Sequence, residues 1–186
     1  MKRYFVLETL TENEIDASLD LKIREHLKRC FPESPEKFQQ VRVWHNTSPK
    51  FTVIYRDTSG RVLGHVAMVV RTITTTWNWR YNVASLQGVS VDEECRGGGL
   101  AQQLVVRVLE EAKQEGYLYA ILFCREPLVA FYQKMGWRLA DDSVVMRNME
   151  DNPITMKSNC PMYKELTGAP FPEGPVDVHN PERVGM

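Results

Sequence analysis

The chain has 186 residues, with 23 basic and 24 acidic side chains and a formal net charge of -1, so it lacks the basic surplus expected of a protein that binds nucleic acid or an anionic membrane. Its length suits one domain that buries a core between a sheet and flanking helices. Cys30, Cys95, Cys124 and Cys160 are far apart and form no C-x-x-C pair, which argues against the usual zinc and redox motifs and predicts reduced thiols and no metal site.

In chain order, Tyr4-Phe5-Val6-Leu7 predicts an opening strand. Lys2 and Arg3 precede it, but Glu8 interrupts the apolar run before a signal-peptide core is complete, and no charge-free span approaches the roughly 20 residues of a membrane helix. A cytoplasmic location is the default expectation. Thr11-Glu12-Asn13-Glu14 offers a capping box for a helix running to about Phe31, with Leu19, Ile23 and Leu27 on its apolar face. Pro32 and Pro35 end that helix, and the polar stretch to Lys50 reads as helix plus loop.

Phe51 to Tyr55 and Val62 to Val70, separated by Asp57-Thr58-Ser59-Gly60, predict a hairpin. A second hairpin joins Val66–Thr74 to Tyr81–Val91 through Thr75-Thr76-Trp77-Asn78-Trp79, where the two tryptophans either line an acceptor pocket or cover the sheet edge. After Arg96 the period becomes helical, with Leu100, Leu104, Val108 and Ala112 on one face and Gly116 as the stop. Tyr117 to Cys124 predicts a short strand and Pro127 to Met135 a helix that Gly136 ends. Two more strands are expected near Trp137–Met146 and Ile154–Lys164. Residues 1–167 are read as one domain. Residues 168–186, with Pro170, Pro172, Pro175 and Pro181, are read as a tail that wraps the domain, closes over an acceptor site, reaches a second copy in a homodimer, or stays a disordered arm.

The strongest chemical signal is Arg96-Gly97-Gly98-Gly99-Leu100-Ala101, which opens the most clearly amphipathic helix of the chain directly after Val89-Ser90-Val91 and Asp92-Glu93-Glu94-Cys95. Glycines at a helix start leave backbone N–H groups unshielded, and with the positive end of the helix dipole they form a cradle for a phosphate or pyrophosphate, to which Arg96 adds a full charge. The plainer alternative is a flexible turn with no ligand. The run fits neither the G-x-x-x-x-G-K-[ST] nor the G-x-G-x-x-G pattern, so nucleotide hydrolysis and hydride transfer both lose support.

This segment resembles the Arg/Gln-x-x-Gly-x-Gly/Ala signature of GNAT N-acetyltransferases, which binds the CoA pyrophosphate. Phe131-Tyr132-Gln133-Lys134-Met135-Gly136-Trp137 is similar to the family's aromatic-Tyr-x-x-x-Gly-aromatic segment at the matching distance downstream. Gly64-His65-Val66-Ala67-Met68 and Leu86-Gln87-Gly88-Val89-Ser90-Val91 most resemble the branch of aminoglycoside 2'-N-acetyltransferases and nodulation acyltransferases. The resemblance spans about Phe51 to Arg138. It implies an α/β (α+β) GNAT acyl-CoA N-acyltransferase fold, a mixed and mostly antiparallel sheet of about seven strands flanked by about four helices. It also implies acetyl-CoA as co-substrate, bound by Val89, Ser90, Val91, Arg96, Gly97, Gly98, Gly99, Leu100, Ala101 and Tyr132, with a small-molecule amine as acceptor.

Acyl transfer to an amine needs a neutral nitrogen, stabilisation of the charge that gathers on the thioester oxygen, and a proton for the leaving thiolate. The resemblance assigns that proton to Tyr132, whose phenol, with an ordinary pKa of about 10, is able to protonate a thiolate whose parent acid lies near 8.5. Its alternative is a packing aromatic beside Phe131 and Trp137. By the same resemblance, a backbone amide near Val89 or Ser90, directed by a strand bulge that Gly88 tolerates, faces the thioester oxygen. The pantetheine arm then lies between that strand and the one ending at Cys124.

The base is the open position. Gln87 stands where the related aminoglycoside enzymes carry a carboxylate, and an amide accepts no proton at neutral pH, so Gln87 positions substrate. Asp92, Glu93 and Glu94 read as a solvated turn. Deprotonation through ordered water is one route and His65 the other: amid Leu63, Val66, Ala67 and Met68, His65 is either a base or a hydrogen-bonded core histidine. Cys124 forms an acyl-enzyme only if its pKa is lowered, so direct transfer in a ternary complex is expected. The alternatives to acetyl transfer are a longer acyl donor and a non-catalytic acyl-CoA sensor.

Overall fold

The computed structural model describes residues 5–44, 47–140, 144–147, 152–154 and 159–179, and the chain divides into two compact units, Met1–Val69 with Leu86–Glu111 and Val70–Ser85 with Ala112–Met186. Among the described residues no helix is long and apolar enough to cross a membrane.

In the first unit, β1 (Phe5–Leu10) pairs antiparallel with β2 (Phe51–Asp57), and β2 with the first part of β3 (Val62–Thr75). The last part of β4 (Arg80–Val91) lies beside β3 and is the edge strand of this unit. The β2–β3 turn follows from its composition. The Asp57 carboxylate accepts from the amides of Ser59 at 2.9 Å and Arg61 at 3.1 Å, and Gly60 takes a φ of +79°.

The capping box is present but caps only a single 3-10 turn, Glu12–Glu14, in which the Thr11 amide and hydroxyl both donate to Glu14 Oε2 at 2.7 Å. Helix α1 (Ala17–Cys30) starts later than expected because Asp16 supplies a second cap, accepting from the Leu19 amide at 2.8 Å. Its Ile23 and Leu27 pack with Phe38, Ile54 and Val62, and each such aliphatic burial contributes about 2 kcal/mol. Helix α2 (Leu100–Gln114) starts in this unit. Its Leu104 lies 3.0 Å from where a Cβ on Gly64 would be, on the face of β3 opposite to that of His65.

The second unit holds β5 (Tyr119–Arg125), helix α3 (Val129–Lys134), β6 (Arg138–Leu139), β7 (Val144–Arg147), β8 (Pro153–Ile154), β9 (Asn159–Glu165) and β10 (Val176–His179). With the remaining parts of β3 and β4, the strand order is β6-β9-β5-β4-β3-β10-β7-β8. The β4–β5 and β7–β10 pairs are parallel, while β3–β10, β5–β9, β6–β9 and β7–β8 are antiparallel, so the sheet is mixed and mostly antiparallel. Ile73, Val83, Tyr119, Ile121, Met146 and Val178 form its core.

The described chain has ten strands and three α-helices where about seven and about four were expected. The region read as one strand from Trp137 to Met146 contains β6 and β7, with 141–143 outside the described residues; the one from Ile154 to Lys164 contains β9, with 155–158 likewise outside. The segment read as an arm contributes β10, because Val176 and Val178 alternate with polar residues directly after Pro175 and bury both valines. Residues 180–186 lie outside the described residues.

Candidate active site

In the first unit β4 ends at Val91, a 3-10 turn spans Glu93–Cys95, and Gly97–Gly99 lead into α2. Gly97 and Gly99 have φ of +81° and +77°, which L side chains rarely adopt, and a Cβ on either would meet nothing within 4 Å. The first intrahelical bond is the Gln103 amide to the Gly99 carbonyl at 3.1 Å, so the amides just ahead of it open off the helix end. All three glycines are exposed, so this cradle has donors, positive potential and space for a diphosphate. Arg96 folds back and donates through Nε to the Val91 carbonyl at 3.2 Å.

Gly88 has φ +62° and bends β4. His65 is fully buried, and its Nδ1 lies 2.9 Å from the Gly88 carbonyl. Burial pushes its pKa down to about 3, and Nε2 has no hydrogen-bond partner among the described residues, so His65 is neutral at pH 7 and braces the bend. Protonation would leave a second N–H buried without an acceptor among the described residues, which favours the core-histidine role over that of a base. Gln87 is buried as well, and its Oε1 accepts from the Trp44 amide at 2.9 Å, which ties the segment ahead of β2 to β4.

Asp92 is not part of a solvated turn. It is 4% exposed, and its carboxylate accepts from His26 Nδ1 at 2.8 Å, Arg61 Nη2 at 2.6 Å and Arg29 Nη2 at 3.2 Å, while Glu93 and Glu94 are exposed as expected. Burial alone would raise its pKa, but the His26 hydrogen bond and the Arg29 charge bring it down to about 2. His26 is fully buried and places Nε2 3.0 Å from the hydroxyl of Ser90. The sequence signal for this group was a histidine on the apolar face of α1, one residue before Leu27.

In the second unit Tyr132 lies on α3, 5% exposed, with its ring edge-on to Phe131 at 5.0 Å and Trp137 at 6.0 Å. Its carbonyl accepts from the Met135 and Trp137 amides while Gly136 takes φ +79°, a C-terminal turn that holds the ring in place. Burial, with Cys124 nearby, raises the phenol pKa well above its usual range, so the hydroxyl keeps its proton at any working pH. Cys124 is buried, its thiol points at Met162 Sδ at 3.6 Å, and burial raises its pKa to about 11, so it is a thiol and not a thiolate nucleophile. The parallel pairing of β5 with β4 covers Ala84↔Ala120 and Ser85↔Ile121.

Main-chain donors at the start of a helix, directly after the end of β4, make an arrangement in an α/β protein that is able to take an anion. The sequence goes further: residues 7–140 match the model of the acetyltransferase (GNAT) domain, and the chain belongs to that family of N-acetyltransferases, which acetylate amines. It is 26% identical over 133 residues to the glucosamine 6-phosphate N-acetyltransferase of Trypanosoma brucei brucei, covering 71% of this chain and 89% of that protein. Its fold is similar to that of the GNAT family N-acetyltransferase YhbS of Escherichia coli, solved in complex with CoA, with a TM-score of 0.69, 20% identity, and 99% and 94% of the two chains covered. A GNAT family acetyltransferase of Brucella melitensis, solved with acetyl-CoA, is similar at a TM-score of 0.62 and 16% identity, over 92% of this chain and 94% of that one.

Proposed function

We propose that the chain transfers the acetyl group of acetyl-CoA to the primary amine of an amino sugar, by direct attack in a ternary complex. The observation that carries this reading is the open turn at Gly97–Gly99, where two left-handed glycines and the amides ahead of Gln103 offer main-chain donors with no side chain to crowd a diphosphate. Leu100 and Ala101 continue that donor set, and Arg96 adds charge. The main chain of Val89, Ser90 and Val91 carries the pantetheine arm, because within its unit β4 is an edge strand.

Tyr132 gives its proton to the leaving thiolate; a buried phenol whose pKa is raised remains protonated until a stronger base forms beside it. Gln87, fixed by the Trp44 amide, positions the acceptor. The raised pKa of Cys124 favours direct transfer over an acyl-enzyme. The likeness to glucosamine 6-phosphate N-acetyltransferase and the resemblance of Gly64–Met68 and Leu86–Val91 to aminoglycoside 2'-N-acetyltransferases share one acceptor chemistry, an amine on a sugar ring.

Thiol release from acetyl-CoA tests the reading, with glucosamine 6-phosphate, glucosamine, aminoglycosides, polyamines and amino acids as acceptors. The amino sugars are expected to give the highest kcat/KM. Turnover confined to polyamines or amino acids would contradict the acceptor, and none with any amine would contradict the transferase.

A further inference from the structure

The two buried histidines of the first unit differ in one respect that decides what each is able to do. His65 has a partner on one nitrogen only. His26 has one on each: Asp92 Oδ1 at 2.8 Å from Nδ1 and Ser90 Oγ at 3.0 Å from Nε2. Ser90 Oγ also lies 3.1 Å from the Gly88 carbonyl.

With Asp92 ionised, Nδ1 carries a proton that it donates to the carboxylate. In the neutral ring Nε2 is an acceptor, and the Ser90 hydroxyl donates to it. When the ring takes a second proton, Nε2–H donates to Ser90 Oγ and the hydroxyl turns to donate to the Gly88 carbonyl. Every buried donor has an acceptor in both states, so the group takes up and returns a proton without stranding a polar atom.

We propose that Ser90, His26 and Asp92 form the proton-accepting relay of acetyl transfer, with Ser90 touching the acceptor amine and His26 and Asp92 acting through it as positioning residues. This rests on the reading that Val89–Val91 border the thioester. As the N–C bond forms and the C–S bond breaks, the nitrogen gives a proton to Ser90 Oγ while the Ser90 proton passes to His26 Nε2. Tyr132 supplies the proton of the CoA thiol. His26 then returns its proton through Ser90 to water, and Tyr132 is reprotonated from water, so the net reaction is amine plus acetyl-CoA to amide plus CoA thiol.

The charged and titratable groups around His26 fit this role. Arg29 on α1 and Arg61 ahead of β3 hold Asp92 ionised, and Cys30 on α1, 3.7 Å from Nε2, has a thiol that burial raises to about 11. Arg96 acts on Cys30 from the turn ahead of α2, and His65 on β3 stays neutral. His26, Cys30 and Asp92 bring potential ligand atoms within 4.8 Å of one another, but two guanidinium groups on Asp92 oppose a cation there.

The test is kcat and kcat/KM against pH for the full chain, with acetyl-CoA and the amine panel above, comparing wild type, Ser90→Ala, Ser90→Thr and His26→Gln. Ser90→Ala is expected to lose about 100-fold in kcat with KM for acetyl-CoA unchanged. Ser90→Thr, which keeps the hydroxyl, recovers most of that rate, and both Ser90→Ala and His26→Gln change the pH profile of kcat. If His26→Gln fails to fold, the two Ser90 variants decide the question. An active wild type with a Ser90→Ala variant of unchanged kcat and pH profile would overturn the relay and leave the transferase standing. A Ser90→Ala loss confined to acetyl-CoA affinity would also overturn it. A wild type that acetylates no amine overturns the transferase reading, and the relay with it.

Discussion

His65 Nδ1 lies 2.9 Å from the carbonyl oxygen of Gly88, and the same ring stands 3.2 Å from where a Cβ on residue 88 would be. The bend in β4 is therefore held from its own carbonyl and closed to any larger residue. Gly88→Ala combines a left-handed backbone cost of about 1–2 kcal/mol with displacement of a buried ring. A fall in melting temperature of roughly 4–8 °C is expected. An unchanged thermal melt would show that the bend relaxes freely.

Gly98 differs from its two neighbours. It has no positive φ, and its Cβ would make only ordinary contacts, with Leu100 Cδ1 at 3.5 Å and the Cys95 carbonyl at 3.8 Å. Gly98→Ala is thus expected to leave the melting temperature unchanged while weakening acetyl-CoA about 10-fold, because the methyl crowds amides that meet the diphosphate. Titration calorimetry measures this directly, and equal affinity would remove the diphosphate from this turn.

Tyr132→Phe deletes one oxygen from a ring already packed by Phe131 and Trp137. The expected result is a kcat lower by about 100-fold with the acetyl-CoA dissociation constant unchanged. Because burial raises the phenol pKa above its usual range, wild-type kcat should show no basic limb from Tyr132 below pH 10. Steady-state kinetics against pH checks both, and a full rate in the variant would return Tyr132 to a packing role.

Asp92 ties acid stability to the same region. Its folded pKa of about 2 lies below the ordinary 3.8, so its contribution is fully present above pH 4 and is lost as pH falls through 2. The linked free energy is about 2 kcal/mol. Melting temperatures between pH 5 and pH 2 should fall in wild type and less steeply in Asp92→Asn, which is also less stable at pH 7 because Arg29, Arg61 and His26 lose the negative charge and one of its two acceptor oxygens. Parallel curves for the two proteins would contradict this coupling.

The glycine turn was legible because it is local: three glycines between a strand and an amphipathic helix declare themselves without tertiary information. The Thr11–Glu14 box forms, but it caps a single 3-10 turn and not the long helix expected of it, because Asp16 caps that helix five residues later and only chain geometry decides which one propagates. Asp92 was misread because charge runs are usually solvated, while its burial depends on His26, Arg29 and Arg61, which are 31 to 66 residues away. Strand β10 was hidden for a similar reason. Val176 and Val178 alternate over only four residues after Pro175, too short a pattern to declare a strand, and their place is set by pairing with β3 and β7.

Acetyl transfer to nitrogen is decided by the identity of the product. Wild-type protein is incubated with acetyl-CoA and glucosamine 6-phosphate, and NMR follows the acetyl group while CoA thiol is counted. One N-acetyl group on the sugar is expected for each thiol released. Thiol released with free acetate alone, or acetyl found on a hydroxyl oxygen, would contradict it.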